Sequence, residues 1–133
     1  MLRFLWERAV QWGPAVFIVS VITFLSHQPK LPGPDGFAWE FLWFKTGHLV
    51  VYALLAWSLY RALWWQRWSQ ILSRRQVCIL LATVAVLAVL DEVHQSFIPG
   101  RGPHIRDVGI DVLGAMLFVV WHRWSSQIIS PEQ

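Results

Sequence analysis

The chain has 133 residues, of which 56% are hydrophobic and only 14% charged, with a formal net charge of +3. Average soluble domains are roughly 45 to 50% apolar and about 25% charged, so this is the composition of a membrane protein, long enough for one small bundle and too short for two ordinary domains. The single cysteine, Cys78, excludes a disulfide framework and a CxxC metal site, and the basic residues form no groove-reading motif, which excludes nucleic acid as a partner.

The first apolar segment is expected near residues 10 to 26, preceded by an interfacial lead-in over Leu2 to Arg8 that mixes charges with bulky apolar groups. Arg3 and Arg8 give this end a positive start, but His27-Gln28-Pro29 offers no small-residue cleavage site, so the segment reads as a retained helix and not a cleaved leader. Gln28 to Gly36 is rich in proline and glycine and reads as an extended outer loop. A second apolar segment follows near 43 to 63, an inner loop over Trp65 to Arg75, a third segment near 76 to 97, an outer turn at Pro99 to Pro103, and a fourth segment near 107 to 124. Each is close to the span of about 20 residues that a bilayer core requires.

These elements predict an all-α fold, an integral membrane bundle of four transmembrane helices forming a single domain over residues 1–133. Arg3, Arg8, Arg61, Arg67, Arg74, Arg75 and Arg123 fall on one side, against Lys30, Lys45, Arg101 and Arg106 on the other. The more basic side faces the cytoplasm, so both termini are expected there. Nine of the ten tryptophans lie toward the ends of the apolar runs, as in an aromatic belt: Trp6, Trp12, Trp39, Trp43, Trp64, Trp65, Trp68, Trp121 and Trp124. The bilayer is the first partner, and a multi-pass location in a bacterial plasma or inner membrane is the expectation.

Ionisable groups inside such segments are costly and each is a functional hypothesis. In the second segment Lys45, His48 and Tyr52 recur at i, i+3 and i+7 and so share one helix face. In the third, Asp91 and Gln95 share a face at the outer end, with Glu92 beside them; in the fourth, Asp107, Asp111 and Gly114 form a stripe at i, i+4 and i+7. Ser26 closes the first segment at the same level, and Gly114 with Ala115 permits a close helix approach. The polar groups of separate helices therefore meet at one depth, the extracytoplasmic side.

Such a set has the residues to hold a divalent cation through carboxylate oxygens, to perform acid–base chemistry between carboxylates and His48, or to grip a phosphate with Arg101. The competing structural reading has Lys45 and His48 pairing with Asp91 or Glu92 only to lock the bundle. His94 falls off the shared stripe and reads as an interfacial residue, not a ligand. Tyr52 reads first as a core residue whose hydroxyl needs a partner, and Pro99-Gly100 first as a turn. An ion pathway is disfavoured because Ile79 to Leu90 and Leu113 to Val120 are almost wholly apolar.

Lys45-Thr46-Gly47-His48 with Tyr52, then Asp91-Glu92-Val93-His94-Gln95, the turn Pro99-Gly100-Arg101, and Asp107 with Asp111 together resemble the VanZ-like family of small multi-pass membrane proteins. Ser26-His27-Gln28-Pro29 resembles the Ser-Ser-Gln-Pro ending of the first family helix, with His27 as a departure. The likeness covers roughly residues 15 to 120, and the combined motif is more specific than any of its pieces. It implies a membrane protein of a family named for a member implicated in resistance to the glycopeptide teicoplanin.

The leading expectation is a small membrane enzyme acting on a lipid-linked or cell-envelope substrate at the outer leaflet. Asp91, Glu92, His48 and Asp111 are its candidate catalytic groups. Lys45, Tyr52, Gln95, Arg101 and Asp107 are its candidate contacts to a lipid-linked or phosphate-bearing ligand. The alternative is a noncatalytic lipid or antibiotic binder, or an accessory membrane subunit.

Overall fold

The structure, a computed structural model, describes residues 1–29, 37–64, 71–102 and 104–129. Four helices account for nearly all of them: α1 (Leu2–Ser26), α2 (Phe37–Leu63), α3 (Arg74–Gln95) and α4 (Ile105–Ile129). No strand occurs among the described residues. The expected outer stretch over 30–36, the inner-loop residues 65–70 with Trp65, Arg67 and Trp68, and Pro103 lie outside the described residues.

Three of the helices, α1, α2 and α3, are long and apolar enough to cross a membrane. The fourth is as long, but Arg106, Asp107 and Asp111 occupy its first two turns and His122, Arg123 and Gln127 its last ones, which dilutes its apolar character. Large apolar side chains are exposed on every helix, among them Phe17, Phe24, Leu54, Val86, Val89 and Leu117. A bundle in water would bury such a surface, whereas a bilayer covers it.

Several boundaries differ from the expected ones: α3 and the start of α4 are each shifted by two residues, α4 runs on to Ile129, five residues past the anticipated Trp124, and the largest differences are at the starts of α1 and α2. Helix α1 starts at Leu2, so the lead-in is its first two turns, with Arg3 donating to Glu7 at 3.2 Å along the helix surface. Helix α2 starts at Phe37, six residues before the anticipated Trp43, with Glu40 in its first turn where the helix dipole favours an acid. Helix α3 starts where the sequence supplies a cap: Ser73 and Gln76 form a reciprocal capping box.

The interior of α1 carries Pro14, which cannot donate the helical hydrogen bond to the carbonyl of Val10. Arg61 of α2 supplies a donor instead, at 3.1 Å from that oxygen. Gln11 repays α2 in kind, donating at 2.6 Å to the carbonyl of Ala62 in its final turn. These bonds run from the N-terminal half of α1 to the C-terminal end of α2, so the two helices are antiparallel.

Helices α2 and α4, by contrast, lie parallel and make the most extensive contact in the molecule. Their approach centres on Gly114, where an added Cβ would run into the Leu49 carbonyl oxygen and sit 3.2 Å from the Ala53 nitrogen. Only glycine fits there, and neighbouring Ala115 is completely buried. Around this contact the core comprises Tyr52, Leu55, Ala56, Leu59 and Tyr60 from α2, Leu80, Val84 and Ala88 from α3, and Phe118 and Val119 from α4.

Candidate functional site

The parallel alignment of α2 and α4 brings their two polar stripes face to face. Lys45 Nζ lies 2.5 Å from Asp107 Oδ1, and one turn deeper His48 Nδ1 lies 2.9 Å from Asp111 Oδ1. The competing structural alternative pairs Lys45 and His48 with Asp91 or Glu92; the partners are instead Asp107 and Asp111, because α4 packs along this face of α2. The pairs differ in depth. Lys45 and His48 are equally exposed, 24% of each side chain, but Asp111 is fully buried while Asp107 keeps 10% of its side chain exposed.

Helix α3 contributes its last turn. Gln95 Nε2 donates to Asp91 Oδ2 at 2.8 Å and to Ser26 Oγ at 3.2 Å, joining α3 to the end of α1. Glu92, about 100° around the helix from Asp91, is buried and accepts the backbone N–H of His104 at 2.6 Å. It therefore braces the α3–α4 connection. Asp107 N–H in turn donates to the His104 carbonyl at 2.7 Å, which starts α4.

The connection itself is a tight turn. Arg101 N–H donates to the Ile98 carbonyl at 3.1 Å, and Gly100 has φ of +83°, with Pro99 before it. Proline followed by a positive-φ glycine is the pattern of a type II turn. The turn directs Arg101 back over the bundle, where its guanidinium donates to the Ser26 carbonyl at 3.3 Å and uses one of its five N–H groups.

Between these elements lies a cavity of about 710 Å³. Its polar wall includes Lys45, His48, Tyr52, Asp91, Gln95, Arg101 and Asp107, while Ile22, Leu25, Trp43, Phe44, Val50 and Val51 form an apolar wall. Seven of the nine residues singled out from the sequence thus line one space. Glu92 and Asp111 do not line it: the first is held by the backbone of His104 and the second lies behind His48.

Three buried side-chain atoms lack a hydrogen-bond partner among the described residues: the Tyr52 hydroxyl, Glu92 Oε1 and Asp111 Oδ2. Such atoms are rare, and the Tyr52 hydroxyl belongs to a residue on the cavity wall. The Tyr52 ring lies parallel to that of His48, at 6.4 Å between centroids. As for a divalent cation, no group of three or more His, Cys, Asp or Glu side chains among the described residues converges closely enough to hold one. The carboxylates are separated because each is drawn to a different donor.

One further contact joins the ends of α1 and α3. His94, expected as an interfacial residue and not a ligand, has Nε2 at 3.4 Å from Nδ1 of His27, with ring centroids 5.5 Å apart. Both follow apolar helical runs that end at the same level, which is the signal that would have paired them.

A family model described as VanZ/LLP1 matches residues 3–125, nearly the whole chain. No curated protein and no solved structure matches it.

Proposed function

The chain belongs to the VanZ/LLP1 family, and from that premise we propose that it is a small multi-pass membrane enzyme acting on a lipid-linked or cell-envelope substrate. In this reading all four helices span a bacterial plasma membrane, both termini are cytoplasmic, and the cavity opens toward the outer leaflet. The distribution of Lys and Arg supports that orientation. The wall, largely apolar with one polar side, suits an amphipathic ligand, with a hydrocarbon portion against Ile22, Leu25 and Val51 and a polar group against Lys45, Arg101 and Gln95.

The observation that carries the reading is the His48–Asp111 pair. A fully buried carboxylate holds Nδ1 of a half-buried imidazole that lines the cavity, and Nε2 has no partner among the described residues. A base held in orientation by a third group is the arrangement that proton transfer requires. His48 is accordingly the proton-transfer group, taking a proton from a hydroxyl or water on substrate and returning it to the leaving group. Asp111 fixes the tautomer and orientation of the ring and does not touch substrate. Lys45 and Arg101 hold an anionic group such as a phosphate, the Tyr52 hydroxyl contributes a further hydrogen bond, and Glu92 positions the α3–α4 turn.

A second reading, a noncatalytic lipid binder, is favoured by one observation: Asp91, Glu92, Asp107 and Asp111 each already have a partner within the protein. Mass spectrometry of lipids that co-purify with the wild type, His48→Gln and Lys45→Gln distinguishes the two. The enzyme reading expects His48→Gln to accumulate a phosphorylated lipid that the wild type carries in altered form, and Lys45→Gln to lose it. Identical lipids on wild type and His48→Gln would leave the binder, and no lipid on any of the three would remove both.

A further inference from the structure

Beside the cavity that His48 lines is a second one, of about 300 Å³, set between α1 and α3. Val19, Ile22 and Thr23 line it from α1, Leu87 and Leu90 from α3, and Leu55 from α2. Apart from Asp91 and His94 at its outer end and the Thr23 and Tyr52 hydroxyls, its lining is aliphatic. It extends about two turns deeper than the ion pairs: Val19 lies seven residues before Ser26, Leu87 eight before Gln95 and Leu55 ten after Lys45, about 10 to 15 Å along each helix.

The two cavities share a wall, since Ile22, Tyr52 and Asp91 line both. The second also reaches the outside of the bundle, because Thr23 and Leu90, one from each helix, line it and are exposed on the surface. Above it the helix ends are pinned by the Gln95–Ser26 bond at 3.2 Å and the His27–His94 contact at 3.4 Å. Overall, α1 and α3 make much less contact with one another than α1 makes with α2 or α3 with α4. We propose that the gap between α1 and α3 is a lateral window through which the ligand enters from the bilayer, its anionic head lodging by Lys45 and Arg101 and its hydrocarbon chain lying in the second cavity. The inference rests on the lipid-ligand reading above, and it narrows the substrate to a membrane-resident anionic lipid in place of a water-soluble phosphate.

An aliphatic hollow does not hold water and forfeits dispersion contacts while empty, and a hydrocarbon chain supplies them. The order of depth agrees, with cations at the outer level and aliphatic groups below, as the head and chain of a lipid stand in one leaflet. Tyr52 marks the joint between them. Its hydroxyl is buried without a partner among the described residues, and its side chain is common to both cavities. An oxygen of the linkage between head and chain accepts that hydrogen bond, which removes the cost of a buried unpaired donor.

Mass spectrometry of the lipids that co-purify with the full-length chain tests the window, on wild type, Lys45→Gln, Thr23→Trp, Leu90→Trp and Leu117→Trp. Thr23 Oγ1 is bonded to the Val19 carbonyl at 2.9 Å, so the substitution there acts through bulk. Seating a chain against an added indole carries the penalty of overpacking, so the lipid that the wild type holds and Lys45→Gln loses falls by about tenfold or more in Thr23→Trp and in Leu90→Trp. Leu117→Trp, on an exposed face of α4 that lines neither cavity, keeps it. Both window positions are exposed, and an unaltered thermal midpoint verifies that each variant folds. Lipid that stays on both window variants while Lys45→Gln loses it overturns the window and leaves the membrane-enzyme reading standing. An equal loss from Leu117→Trp overturns the window as well, and no lipid on the wild type overturns both.

Discussion

The two ends of the α2–α4 pair solve the same packing problem differently. At one end the helices meet through Lys45–Asp107 and His48–Asp111, beside a cavity of about 710 Å³. At the other they meet through Tyr60, Phe118 and His122, with ring centroids 4.6 to 5.8 Å apart and Tyr60 almost wholly buried. Aromatic contact of this kind fills space and gains dispersion energy over a broad area. Had the first end needed only cohesion, the same solution was available. It spends charges and leaves a hollow, and buried ion pairs are a poor route to stability alone. The difference separates the part of the bundle that is packed only for cohesion from the part to which the proposed function assigns chemistry.

The largest expected effect tests the clamp that both ends share. Gly114→Val has to displace the Leu49 carbonyl, and overpacking against backbone costs about 3 kcal/mol or more. Loss of monodisperse protein and a collapsed thermal midpoint are expected, and a normal midpoint would mean that the helix pair is not clamped there. Next, the ends should respond oppositely to single changes. Phe118→Ala lowers stability by about 3 kcal/mol and leaves the co-purifying lipid unchanged. Asp107→Asn, at a partly exposed pair, costs about 1 kcal/mol or less and, on the proposed function, removes the co-purifying lipid. Thermal unfolding and lipid analysis on both variants measure this, and a ligand lost from Phe118→Ala but kept by Asp107→Asn would erase the distinction. The smallest effect belongs to neither end. Leu117→Ala, on an exposed apolar face, stays within about 0.5 kcal/mol of wild type in thermal unfolding, since it removes no internal contact of the core.

The stripes on α2 and α4 were legible because helical periodicity is a local property. Lys45, His48 and Tyr52 had to share a face, as did Asp107, Asp111 and Gly114, whatever the bundle did. Which stripe met which was not legible. Periodicity specifies faces and not neighbours, and a short turn between α3 and α4 does not reveal that α2 lies against both. The same distinction explains Glu92. Its adjacency to Asp91 in sequence suggested shared chemistry, yet adjacent helical residues point about 100° apart and these two serve different partners. The Arg61–Val10 bond was hidden for another reason: it depends on a carbonyl released by Pro14, four residues further along a different helix.

Gly114 has one more implication. It acts as the zero mark of a scale read along two helices at once, with Asp111 and Asp107 three and seven residues to one side and His122 eight to the other. Inserting one residue between Gly114 and Asp111 would swing both aspartates by about 100° and slide them about 1.5 Å, away from Lys45 and His48, while Phe118 and His122 kept their places. Spacing is therefore as much a constituent of this site as its side chains, and a length change here is as severe as a substitution.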